Sequence, residues 1–304
     1  MAKRPARASV ALIGALACVS VAFASPAVAG GRDVDPFRGL GAWIDVFDYV
    51  PAFQQLPGPV PVAAGTVDDL AALGVETIYL QAAIDDPREK GLIVDRARVG
   101  AILRRAHEND VRVVAWYYPQ LTDPARDRRR LEAIIDFRAD GESFDAIALD
   151  IESRLVPDVT IRNQRLVRLT RHVREQAGDR AVGAILYPAV QLEVINPLLW
   201  PEFPYGKLDP NVDVWLPMTY WTFRDGAYRD AFTYTEESVR RLRRNLEDRD
   251  ANVHPIGGLG ESALPADYEA FVRAAREVDA LGWSLYDADT TATTAWRLLR
   301  DDDS

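Results

Sequence analysis

Eight short apolar runs, most of them separated by segments of helical pattern, predict an α/β fold, a (β/α)8 TIM barrel. Three observations carry the prediction. The runs fall at residues 42–47, 77–82, 111–117, 146–151, 181–187, 212–220, 253–256 and 282–286, so their number is that of the closed barrel. Several are too continuously apolar to be edge strands washed by solvent, as expected for parallel strands covered by helices. The last run lies close to the C-terminus, which favours a barrel over a doubly wound open sheet.

Each element has its own local signal. The first run ends in Asp45-Val-Phe-Asp48, and the stretch 51–64, with proline at 51, 57, 59 and 61, reads as a stiff loop after strand one. Thr66 with Asp69 forms a capping box ahead of Leu70 and Leu73. Asp95 opens a helix through Val99, Ile102 and Leu103, and Asp123-Pro124 supplies a cap and an N1 proline before Leu131, Ile134 and Ile135. Asp158 or Thr160 opens the next helix, through Leu166, Val167 and Val173. The proline-rich stretch 188–211 is a second long excursion after a strand. Thr235 precedes Glu236, Val239 and Leu242, Pro265 precedes Tyr268, Phe271 and Val272, and a short helix near residues 294–299 closes the chain.

The first 29 residues read as an export signal: Lys3, Arg4 and Arg7, then an apolar run, then Ala27-Val-Ala29 before Gly30. Cleavage after Ala29 predicts a secreted, extracellular protein whose residues 30–304 form one barrel domain of 304 − 29 = 275 residues. Cys18 is the sole cysteine and sits in Ala15-Leu-Ala-Cys18, loosely like a lipoprotein processing site. The mature chain then has no thiol, which excludes disulfides, thiolate metal sites and cysteine nucleophiles. No later stretch is long and apolar enough to span a membrane.

The formal charge of −10 becomes −13 once the three basic signal residues are lost, a field that repels phosphate backbones and anionic lipid. The arginine runs at 126–130 and 240–244 fall in helical patterns with neighbouring acids and read as solvated faces. Neither a nucleic-acid partner nor a membrane span is expected, and a monomer is.

The strand ends concentrate acids and rings. Besides Asp45 and Asp48, they present Gln81, Trp116 and Tyr118, the pair Asp150 and Glu152, Tyr187, the run Met218-Thr-Tyr-Trp221, and Trp283 through Asp287. In Phe144 through Glu152 the period-two alternation puts Asp150 and Glu152 on one face of a strand, over Ala146 and Ala148. Adjacent like charges at that end can raise one pKa enough to keep a proton near neutral pH. Aromatic planes suit the C–H faces of sugar rings, and fixed acids suit their hydroxyls and the cleavage of a glycosidic bond. A polysaccharide or oligosaccharide is thus the expected partner. His107 and His172 fall in helical stretches and leave His254 alone, so neither a metal nor any other cofactor is expected.

Asp145-Ala-Ile-Ala-Leu-Asp-Ile-Glu152 resembles the strand-four signature Asp-x-x-Asp-x-Asp-x-Glu of glycoside hydrolase family 18, the chitinase-like barrels. The resemblance implies that Glu152 is the general acid and that Asp150 orients a substrate N-acetyl group. Met218-Thr-Tyr220 matches that family's strand-six Met-x-Tyr, which implies that Tyr220 holds the acetamido oxygen, and Trp283 corresponds to its strand-eight tryptophan under the sugar. Three positions depart: Ala148 replaces the middle aspartate, Ala146 a usual glycine, and Trp221 a frequent acid.

The reading is therefore a divergent, secreted glycosidase. Asp45, Asp48, Gln81, Trp116, Tyr118, Tyr187, Met218, Trp221, Trp283 and Asp287 are expected to bind substrate around Glu152, Asp150 and Tyr220. A barrel that binds glycans without cutting them is the alternative, followed by a polysaccharide deacetylase. The acid assignment further requires Arg154 to point away from Glu152, whose pKa should be raised rather than lowered.

Overall fold

Parallel pairing runs without interruption through strands β1 (Gly39–Ile44), β2 (Thr77–Gln81), β3 (Arg112–Tyr117), β4 (Ala146–Ile151), β5 (Val182–Leu186), β6 (Val214–Pro217), β7 (Ile256–Gly257) and β8 (Gly282–Leu285). The order is β6-β5-β4-β3-β2-β1-β8-β7, and parallel bridges Trp215↔Val253 and Met218↔Ile256 close the ring between β6 and β7. The fold is the expected (β/α)8 barrel. This computed structural model describes residues 32–56 and 58–300; those after Gly31 belong to one compact unit. The predicted signal segment, its cleavage point and Cys18 lie outside the described residues. Among the described residues no helix is long and apolar enough to cross a membrane.

The helices are α1 (Val46–Tyr49), α2 (Thr66–Ala72), α3 (Arg96–Glu108), α4 (Pro124–Ile135), α5 (Val159–Gln176), α6 (Tyr205–Leu208), α7 (Ala231–Leu246), α8 (Pro265–Glu277) and α9 (Thr293–Leu299). Asp95, Asp123 and Asp158 cap α3, α4 and α5 by accepting backbone N–H bonds, as their sequence context predicts. Two helix starts differ. Gly65 stands at the cap of α2 while the Thr66 hydroxyl accepts from Ala63 N (3.1 Å), and α7 begins four residues before Thr235 because Asp230 caps it.

Strand one also stops early. Asp45 accepts from Phe47 N (2.7 Å) and Asp48 accepts from Asp45 N (2.9 Å), a reciprocal box that turns the chain into α1 directly after Ile44. The predicted strand six shortens to Val214–Pro217 as the chain leaves the sheet toward Tyr220.

Two layers of core result from strand alternation. The outer layer packs strands against helices with residues such as Ile44, Leu80, Leu149 and Leu285. The inner layer fills the barrel with Phe37, Trp43, Tyr79, Val114, Trp116, Ile185 and Leu216. Trp43 stacks on Tyr79 at 4.4 Å and meets Trp116 edge-on at 5.8 Å. Gly41 makes room for this cluster, since a Cβ there would lie 2.5 Å from the Tyr79 ring. The aromatic layer plugs the barrel interior, and Trp43 and Trp116 form the floor of the space above it.

Candidate active site

Above the plug lies a cavity of about 230 Å³, on the order of a single sugar ring, walled by Trp43, Trp116, Met218, Tyr220 and Tyr286. Asp150 and Glu152 supply the carboxylates of its lining. They leave β4 on the inward face, as the alternation predicts. Glu152 also borders a second, more open cleft of about 530 Å³, formed with Tyr118, Arg154, Leu155 and Tyr187. Glu152 is the residue common to both linings.

Electrostatics at this pair follow from burial. Asp150 is 8% exposed, its Oδ1 has no hydrogen-bond partner, and burial, then the neighbouring Glu152 charge, push its pKa well above the ordinary carboxylate range. Burial raises the Glu152 pKa too. Arg154 is exposed and forms no ion pair with Glu152, so nothing cationic offsets that rise. The Tyr187 hydroxyl donates to the Glu152 backbone carbonyl (3.4 Å), and the Ser153 hydroxyl donates to the Gln120 carbonyl (3.0 Å); together they hold the strand-four exit. Burial followed by the charges of Asp150 and Glu152 keeps the Tyr220 phenol protonated.

Across the mouth, Tyr286 donates to Asp45 Oδ2 and lies 6.3 Å, ring to ring, from Tyr220. The carboxylate oxygens of Asp45, Asp48 and Asp287 lie within 4.8 Å of one another, close enough to share a cation. Asp45 and Asp48 already have partners in the α1 box and in Tyr286, and Asp287 Oδ1 accepts from Thr290 N (2.9 Å). Burial raises both the Asp45 and Asp48 pKa values, the latter to about 8 with help from the Asp45 charge.

The structure thus brings together Asp150, Glu152, Tyr220, Trp116 and Met218 in the inner cavity and Tyr118 and Tyr187 in the outer cleft. Gln81 faces inward but serves the loop: its Oε1 accepts from Val46 N (3.1 Å) and its carbonyl from the Tyr49 hydroxyl (2.6 Å). Asp48 is likewise occupied with the α1 box.

Two expected contacts are corrected. Trp283 points out of the barrel into the helix layer, where its indole N–H donates to the Leu299 carbonyl (2.8 Å). Its neighbour Ser284 is the inward residue of β8, accepting from Trp43 Nε1 (2.8 Å) and facing His254 Nε2 (3.0 Å). Trp221 is fully buried against Phe271 at 5.1 Å, because a tight 3-10 turn after Tyr220 swings it outward. Tyr286, two residues beyond Ser284, lines the inner cavity where Trp283 does not. Trp43, Ile185, Ile256 and Leu259 are the other lining residues that sequence reading missed.

The histidines are structural. Buried His254 bonds the Phe37 carbonyl through Nδ1 (2.8 Å), and burial lowers its pKa to about 4. His107 lies on α3 beside Glu142 and Asp145, and His172 on α5 beside Glu132.

No family model matches this sequence, and no curated protein matches it. Solved structures do match in fold. The endo-1,4-beta-mannanase of Rhizomucor miehei superposes with a TM-score of 0.64 at 11% identity, over 87% of this chain and 91% of that one. The glycoside hydrolase domain of PgaB (BpsB) from Bordetella bronchiseptica gives 0.61 at 14%, over 87% and 99%. A class V chitininase from Pseudomonas fluorescens Pf-5 gives 0.60 at 10%, over 86% and 98%.

Proposed function

We propose that this chain is an exported glycoside hydrolase that cleaves a polysaccharide or cell-wall glycan, with Glu152 as general acid. One observation carries the reading: Glu152 is the carboxyl group common to a ring-sized aromatic cavity and an open cleft, with its pKa raised by burial and no cation paired to it. A donor so placed meets the bridging oxygen between a sugar in the inner cavity and the next unit in the outer cleft. Neighbours in fold that are named as a mannanase, a glycoside hydrolase domain and a chitininase support the same class.

Among the described residues the inner cavity is lined by no carboxylate besides this pair, which favours a nucleophile supplied by the substrate's own acetamido group. In that mechanism protonated Asp150 and the Tyr220 hydroxyl orient the acetamido group, as the family resemblance implies. Glu152→Gln should lower turnover on a responsive glycan by about two orders of magnitude or more while affinity survives. Equal activity of wild type and variant would reject Glu152 as the acid.

Ala148 favours a second reading, a barrel that binds glycans without cutting them. It lies fully buried on the same inward face as Asp150, in the position of the resembled family's middle aspartate, so the strand offers no acid beneath Asp150 to relay a proton. That reading predicts saturable oligosaccharide binding with no new reducing ends after long incubation. Hydrolysis products that vanish in an Asp150→Asn, Glu152→Gln double variant would dispose of it.

A further inference from the structure

We propose that the outer cleft receives a sugar unit bearing a carboxylate, which Arg154 binds on the leaving-group side of Glu152. Which side of the scissile bond this is rests on the glycosidase reading; the recognition of a carboxylate rests on the cleft itself.

Arg154 follows Glu152 by two residues and opens onto the same cleft, where Tyr118 and Tyr187 provide rings and Leu155, 56% exposed, provides an apolar edge. Apart from Glu152, Arg154 is the charged residue of this lining. Among the described residues it has no carboxylate partner, although this acidic chain pairs many of its other arginines with acids.

Arg162 stands behind it. That residue is 3% exposed, and its guanidinium stacks over Trp200 at 4.2 Å, donates to the Val156 carbonyl (3.3 Å) and leaves its Nε without a partner. Burial, then the charge of Arg154, lowers its pKa. Two cations are therefore held near each other beside an aromatic cleft, and among the described residues neither forms an ion pair with an acid. A neutral glycan leaves that repulsion as it is, whereas a uronate or lactyl-type carboxylate relieves it and can take the planar guanidinium bidentately. The aromatic walls specify a sugar as the carrier of the charge, rather than a free anion.

The test uses the full chain carrying Glu152→Gln, which keeps the glycan intact, and titrates it calorimetrically with three oligosaccharides. Neutral chitohexaose is the reference, a hyaluronan hexasaccharide presents uronate carboxylates, and peptide-free peptidoglycan strands present muramic acid carboxylates. The expected result is that at least one anionic oligomer binds about tenfold or more tighter than chitohexaose at low salt. Adding Arg154→Ala should remove that advantage and its salt dependence while leaving chitohexaose affinity within about twofold, and Arg154→Lys should restore part of it. The stronger of the two anionic ligands identifies the source of the carboxylate. Chitohexaose binding as tightly as both, no binding of either anionic oligomer, or an equal loss for neutral and anionic ligands in Arg154→Ala would overturn the proposal. If the wild type hydrolyses none of the three yet the Arg154-dependent preference holds, the glycosidase reading fails while carboxylate recognition stands.

Discussion

Replacing Asp48 by asparagine should make the protein more stable at alkaline pH, although it alters a buried carboxyl at the mouth. Asp48 is 5% exposed, and burial, then the Asp45 charge, raises its pKa from 3.8 to about 8. Below pH 3.8 the group is protonated in both folded and unfolded chains and contributes nothing. Between 3.8 and about 8 the unfolded chain ionises while the folded one keeps its proton, so stability falls as pH rises, and the full penalty stands above about 8. At about 1.4 kcal/mol per pH unit, that interval sets a ceiling of about 6 kcal/mol. Relaxation of the short helix α1 and entry of water reduce the effective cost to about 2–3 kcal/mol. The asparagine oxygen still accepts the Asp45 N–H bond of 2.9 Å, so the α1 box survives. For a domain of this size the variant should melt about 4–8 °C above wild type near pH 9 and with it near pH 4. Calorimetric melts across that range check the expectation. A difference that does not grow with pH, or a variant less stable throughout, would refute the assignment of a strained, protonated Asp48.

Three further outcomes follow from placements that the sequence did not show. Trp283→Leu should cost about 2–4 kcal/mol in denaturant unfolding and leave KM on a responsive glycan unchanged, because the ring packs under α9 and not under substrate. Ser284→Ala orphans the Trp43 indole N–H and His254 Nε2, and should lower stability by about 1–3 kcal/mol with a loss of near-ultraviolet signal from the aromatic layer. His107 is raised from 6.5 to about 9, first by its bond to Asp145 and then by Glu142, so it contributes stability fully below 6.5 and loses it as pH passes about 9. His107→Gln should therefore destabilise by about 1–2 kcal/mol near pH 6 and converge on wild type near pH 10, read from urea midpoints.

The barrel was legible because a parallel strand buried on both faces leaves an apolar signature that a solvent-washed strand does not. The acid pair was legible because alternation along β4 places residues 150 and 152 together whatever surrounds them. Side selection on β8 was not. Trp283 and Leu285 alternate with Ser284 and Tyr286, and either set could face the axis until the barrel is closed; closure puts the small polar residue inward because Trp43 and His254 both need its hydroxyl. Trp221 misled for a related reason, since parity counts only within a strand and β6 ends at Pro217. The Asp45–Asp48 box was readable from its spacing but was absorbed into an overlong strand, because Val46 and Phe47 continue the apolar run.

Alanine at position 148 bears on how the pair above it works. Ala148 pairs in register with Trp116 and Gly183 and belongs to the same buried inner cluster as the Trp43, Tyr79 and Trp116 rings. An aspartate there would be enclosed by these apolar surfaces, with a desolvation cost of several kcal/mol and no cation to offset it. With the plug in place, Asp150 has no acid below it on the strand, its Oδ1 lacks a partner, and the one titrating neighbour that raises its pKa is Glu152. Any proton held by this pair must be exchanged upward, with the substrate or with water entering the cavity. Under the proposed glycosidase reading, catalysis at this site depends on what fills the inner cavity, since an occupant can complete the hydrogen bonding that Asp150 Oδ1 leaves open.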